Sequence, residues 1–101
     1  MLARNHIEIP DEALAELCHR YHVRELALFG SVLRDDFRPD SDIDVLVEYE
    51  PDARATLFSH YDLQQELEQL LGRPVDLVSK GGLKPLIRDE ILGSAEAIYA
   101  T

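Results

Sequence analysis

Two aspartates one residue apart, Asp42 and Asp44, follow the pair Gly30-Ser31 after a gap of ten residues. Residues 42 to 49 read as a strand, with Val45 and Val47 supplying β-branched side chains. Alternate side chains of a strand share a face, so Asp42 and Asp44 point one way and Ile43, Val45 and Val47 the other. Two carboxylates about 7 Å apart along a strand repel each other unless a cation sits between them. Mg²⁺ suits that position, because it prefers hard oxygen ligands and takes one or two carboxylates together with substrate phosphates. Asp76 adds a third acid, between Val75 and Leu77 in another predicted strand, where an apolar residue would be ordinary. If the two strands are neighbours, three acids converge. Three carboxylates suit two ions roughly 4 Å apart, one activating an attacking oxygen and one steadying a leaving phosphate.

The other end of the motif suits the phosphate. Gly30 lacks a Cβ and lets the backbone approach a ligand closely. Ser31 is a good N-cap for a short helix or helical turn from 31 to about 37, and a helix N-terminus attracts phosphate. Arg34, one turn further on, is the best placed of the basic residues Arg34, Arg38, Lys80 and Lys84 to meet phosphate; each of them is more often a solvated surface charge. Ser41 is read as orienting Asp42 or binding the nucleotide, against the plainer reading of a turn residue before a strand. Phosphoryl and nucleotidyl transfer need mainly positioning and charge neutralisation, and this stretch offers both.

Other chemistries fit less well. Asp40, Asp42 and Asp44 resemble the start of an EF-hand loop, but Val45 stands where that loop needs Gly and Pro51 where it needs Glu. His6, His19, His22 and His60 show no metal-ligand spacing. Cys18 is the only cysteine, so no internal disulfide forms; inside an amphipathic pattern it reads as a small buried apolar residue.

The elements that must position these residues follow from periodicity and punctuation. Pro10-Asp11-Glu12 opens a helix in which Leu14, Leu17, Cys18 and Tyr21 recur at helical spacing, to about His22. Glu25 to Phe29 reads as a buried strand ending at Gly30, and Arg38 to Ser41 as a loop. Thr56 to Leu71 is a long helix with Leu63, Leu67, Leu70 and Leu71 on one stripe and Gly72 as its C-terminal cap. Val75 to Val78 is a strand, Leu83 to Leu92 a last helix, and Ala97 to Ala100 a short edge strand. This order makes an α/β or α+β domain, a small sheet packed on helices, whose strand polarity the pattern leaves open.

Size and charge narrow the function. The 101 residues are expected to form one domain. Twenty acidic against ten basic residues give a formal charge of -10, the opposite sign to a non-specific nucleic-acid binder. No direct nucleic-acid binding is expected. A basic protein partner fits better, since opposite fields speed association, although acidity also serves solubility alone. No signal-peptide run and no stretch near the ~20 apolar residues of a membrane span appears, so a cytoplasmic, non-membrane protein is expected.

Gly30-Ser31, Asp42 and Asp44, preceded by Leu26-Ala27-Leu28-Phe29 and followed by Val45-Leu46-Val47, resemble the motif of the DNA-polymerase-β-like nucleotidyltransferase superfamily. The similarity is greatest to its minimal branch, the antitoxins that accompany HEPN-domain ribonuclease toxins. It extends through Leu67, Leu70-Leu71-Gly72, Pro74-Val75-Asp76-Leu77-Val78, Pro85 to Leu92 and Ile98-Tyr99, and so covers the chain from about residue 21. The resemblance implies a nucleotidyltransferase-like fold, with a small mixed sheet of three to four strands flanked by about four helices. It implies that Asp42, Asp44 and Asp76 hold two Mg²⁺ ions, that Gly30 and Ser31 hold the triphosphate, that ATP is the donor, and that a tyrosine hydroxyl of a cognate toxin is the acceptor. It also implies a hetero-oligomer with that toxin. Asp35 departs from the pattern, many relatives having Gly after the residue that corresponds to Arg34. Neutralisation of the toxin by binding alone stands as the alternative.

Overall fold

A computed structural model describes all residues, Met1–Thr101. Apolar alternation in the two longest extended stretches produces β1 (Val23–Phe29) and β2 (Ile43–Tyr49), which pair antiparallel. β3 (Val75–Ser79) lies parallel to β2, and β4 (Glu96–Ala100) antiparallel to β1. The sheet is therefore mixed, in the order β3-β2-β1-β4. A parallel pair needs a crossover, which is supplied between β2 and β3 by the longest helix, α2 (Leu57–Leu71).

The two sheet faces bury different sets. Leu14, Leu17 and Cys18 of α1 (Asp11–Arg20) and Leu63 and Leu67 of α2 pack on one face, against Leu26, Leu28, Ile43, Val45, Val47, Val75 and Leu77. The opposite face carries a smaller cluster of Ala27, Phe29 and Leu46, with Ile91 and Leu92 of α3 (Pro85–Ser94) leaning on it. Strand alternation places Asp44 and Asp76 on this second, thinly covered face, beside Leu46 and Val78.

Three α-helices form rather than about four, accompanied by 3-10 turns at Arg4–His6, Gly30–Leu33 and Lys80–Gly82. The short helix or helical turn expected from 31 to about 37 forms as the second of these turns and stops at Leu33. A helix there would set Val32 and Phe37 roughly 140° apart. Ending the turn at Arg34 lets both reach the main core. β2 begins at Ile43, so Asp42 lies just outside the ladder that was expected to include it. Thr56 caps α2 through a reciprocal pair with Ser59 and is not part of the helix. The last helix is displaced to start at Pro85, whose fixed φ suits a first helical position. Gly72 ends α2 in the left-handed conformation, as its position suggested.

β3 is an edge strand whose outer side is closed by helix side chains. Glu68 accepts from the Val75 N–H at 2.9 Å and Gln64 from the Leu77 N–H at 3.0 Å. His60 Nε2 meets the Leu77 carbonyl at 2.9 Å, while its Nδ1 meets the Tyr49 hydroxyl, also at 2.9 Å. Residues 60, 64 and 68 recur at one-turn spacing along α2, so one polar stripe substitutes for a fifth strand and protects the edge.

Candidate active site

β1 ends where the site begins. Gly30 takes φ 72°, a conformation open to glycine at no steric cost. A Cβ at this position would fall well inside van der Waals contact of the Asp44 carboxylate. The bare backbone expected to admit a ligand therefore first admits Asp44. The Ser31 backbone N–H lies near enough to the same carboxylate to favour its charged form. Ser31 is not the N-cap expected of it: the four-residue 3-10 turn begins at Gly30, with Phe29 at its N-cap and no side-chain cap bond, and is too short for a helix macrodipole.

The turn is held from outside by the N-terminal segment. Asn5 donates to the carbonyls of Val32 at 2.7 Å and Arg34 at 3.1 Å, and Arg4 donates to the Leu33 carbonyl at 3.0 Å. Asn5 itself sits at φ 58°, a region asparagine tolerates better than most residues. Nothing in the spacing of the sequence pointed to Arg4 or Asn5.

Asp44 and Asp76 are partners in the β2–β3 register, and Asp44 also faces Phe29 of β1. Asp44 is half-buried, whereas Asp42 and Asp76 are exposed. Burial pushes the Asp44 carboxyl above the usual carboxylate range. The charges of Asp76 and then Asp42 push it further, and the Ser31 N–H partly offsets them. The three acids thus share one field. No three His, Cys, Asp or Glu side chains stand close enough to enclose a metal ion by themselves. Carboxylates without a counter-charge repel one another, and a magnesium site ordinarily draws its remaining oxygens from phosphate and water. The donor chemistry fits a hard divalent cation, because one half-buried carboxylate flanked by two others is a locus of uncompensated negative charge.

The remaining sequence candidates are placed as follows. Arg34 is exposed, and its Nε pairs with Asp36 at 3.4 Å; its partner is Asp36 and not the unusual Asp35. Ser41 is half-buried and fixed through its backbone carbonyl, which accepts from Arg73 at 3.0 Å. Lys80 pairs with Glu48 at 3.6 Å. Cys18 is buried, and burial pushes its thiol up to about 12, which suits packing and not nucleophilic chemistry. Surface clefts such as the one lined by Leu17, Arg20 and Glu66, between α1 and α2, include none of the three acids. Arg73 went unnoticed in the sequence; its lodging between the helix cap Gly72 and Pro74, ahead of the third acid, was the available signal.

Comparison with known proteins agrees with this fold. The model of the nucleotidyltransferase domain family matches residues 10–98, so α1 belongs to the conserved unit although the motif resemblance began later. Protein adenylyltransferase MntA of Thermococcus cleftensis is 42% identical over 84 residues, 83% of this chain and 81% of the relative. A solved minimal nucleotidyltransferase is 44% identical, with a TM-score of 0.69 over 88% of this chain and 87% of the other. A chain from a toxin–antitoxin structure with AMP-PNP shares the fold at 20% identity, with a TM-score of 0.71 over 92% of this chain and 75% of that one. The chain belongs to the nucleotidyltransferase domain family, in its minimal, MntA-like branch.

Proposed function

We propose that this chain is a Mg²⁺-dependent protein adenylyltransferase and an antitoxin, transferring AMP from ATP to a tyrosine of a HEPN-domain toxin. The observation that carries the reading is the opposition of Asp44 and Asp76 beside the Gly30–Ser31 turn, with Asp44 held above its ordinary range by burial and then by its acidic neighbours. The kinship to MntA, 42% identical and itself named a protein adenylyltransferase, supports the choice of reaction. The fold shared with chains from toxin–antitoxin structures agrees with the choice of partner.

In this reading Asp42 and Asp44 hold two Mg²⁺ ions and Asp76 completes the second site. Ions held there would supply neutralisation of the triphosphate and acidification of the acceptor hydroxyl. Gly30 and Ser31 seat the triphosphate, and Arg34 and Ser41 flank the nucleotide. The tyrosine oxygen attacks the α-phosphorus, the bond to the bridging oxygen of the β-phosphate breaks, and pyrophosphate leaves. The hydroxyl proton passes to the Asp76 carboxylate, which stands exposed on the side open to solvent. The chain acts in the cytoplasm, in a complex with its partner; no helix is long and apolar enough to cross a membrane.

Mixing the chain with its cognate toxin, ATP and Mg²⁺ should make the toxin heavier by one or more AMP units by intact mass. Asp44→Asn should abolish the increase while leaving the circular dichroism spectrum unchanged. Full transfer by that variant would refute the mechanism. Protection of cells by Asp44→Asn equal to wild type would favour neutralisation by binding alone.

A further inference from the structure

Of the three aspartates, Asp42 is the one the sheet does not hold. Asp44 and Asp76 sit in the β2–β3 ladder, whereas Asp42 precedes it and is exposed. Its backbone is nonetheless fixed on both sides by one dipeptide. The Ser41 carbonyl accepts from the Arg73 guanidinium at 3.0 Å, and the Ile43 N–H donates to the Pro74 carbonyl at 2.9 Å. The same terminal nitrogen of Arg73 reaches the carbonyls of Arg38 and Pro39, both at 2.8 Å. The guanidinium plane lies 4.5 Å from the centroid of the Phe37 ring.

Three carbonyl dipoles gathered on one cation make charge-assisted bonds, stronger than neutral ones. The planar guanidinium also covers an aromatic face, which a lysine ammonium cannot do equally well. The arrangement is not the cheapest for stability, since Arg73 Nε is buried with no partner. Arg73 stands only three residues before Asp76. One short stretch therefore carries the third acid and grips the loop that delivers the first.

We propose that Arg73 is a positioning residue for the metal site: by drawing together the carbonyls of Arg38, Pro39 and Ser41, it sets Asp42 against Asp44 and Asp76 without touching the nucleotide. The proposal rests on the reading of the three aspartates as metal holders.

Two measurements test it on the full chain. In metal-free protein, Arg73→Met should speed amide hydrogen exchange at Ser41, Asp42 and Ile43 on the order of tenfold, with Val45 and Val47 unchanged. In a Mn²⁺ titration with a non-hydrolysable ATP analogue, followed by electron paramagnetic resonance, the half-saturating Mn²⁺ concentration should rise about 10- to 100-fold. Arg73→Lys should restore part of both effects. A folded Arg73→Met with wild-type exchange or wild-type Mn²⁺ binding overturns the proposal. If Arg73→Met does not fold, Arg73→Lys decides: an intermediate weakening supports the proposal and wild-type behaviour overturns it. Failure of the wild-type chain to bind Mn²⁺ with the nucleotide overturns the reading of the aspartates, and this proposal with it.

Discussion

The Asp44 carboxylate fills the space that a side chain at Gly30 would need. The glycine at the end of β1 and the acid in β2 are thus one feature, and the nearby Ser31 N–H favours the charged form of that carboxylate.

Gly30→Ala should disturb Asp44 well before it unfolds the chain. The obstructed atom is the free end of a side chain, which rotates away cheaply. What remains is the left-handed φ of 72°, about 1–2 kcal/mol. Binding of Mg²⁺–ATP should weaken on the order of tenfold or more, because its acid is displaced. Melting curves separate the two effects. The wild-type chain should gain about 2.7 kcal/mol at a hundredfold excess over Kd, and the variant much less at the same ligand concentration. An undiminished ligand-induced shift in Gly30→Ala would show that the contact is incidental.

Asp44 should make the metal-free protein sensitive to pH. Its folded carboxyl lies above the ordinary 3.8, through burial first and then Asp76 and Asp42. Between 3.8 and the raised value the folded state binds more protons than the unfolded state. Stability from this group is therefore fully present below 3.8 and is lost as pH rises through the folded value. Asp44→Asn keeps the shape of the side chain and removes the charge. It should flatten this dependence and raise metal-free stability at pH 7 by roughly 0.2–1 kcal/mol, the scale of like charges facing across strands. Urea unfolding at several pH values measures both; a less stable variant at pH 7 would contradict the account.

Gln64→Ala should loosen the strand that carries Asp76. The substitution leaves the Leu77 N–H at the sheet edge without its protein acceptor, at a cost of about 1 kcal/mol where water replaces it. Amide exchange at Leu77 should accelerate, and nucleotidyl transfer should fall more than the small loss of stability explains. Unchanged exchange at Leu77 would show that the helix stripe does not hold the edge.

Much of this was legible in the residues because it is local. Val45 and Val47 announced a strand, and Leu63 with Leu67 announced the buried stripe of α2. Gly72 announced the end of that helix. The spacing of Gly30, Ser31, Asp42 and Asp44 carried the chemistry proposed for them, since a strand's alternation and a glycine's freedom are properties of a few consecutive residues. The helical turn after Ser31 was legible too, but its length was not, because the pull on Val32 and Phe37 comes from a distant core.

Residue order alone thus pointed to the three acids, the glycine and the three α-helices, though not to every helix boundary. Tertiary structure alone decided that β3 lies parallel beside β2, that Asp76 meets Asp44, and that Asp44 enters the space left at Gly30. It alone decided that Arg73 closes on the loop before Asp42. Strand order and register are set by which long-range pairings bury both sheet faces together, and no short window of sequence contains that choice.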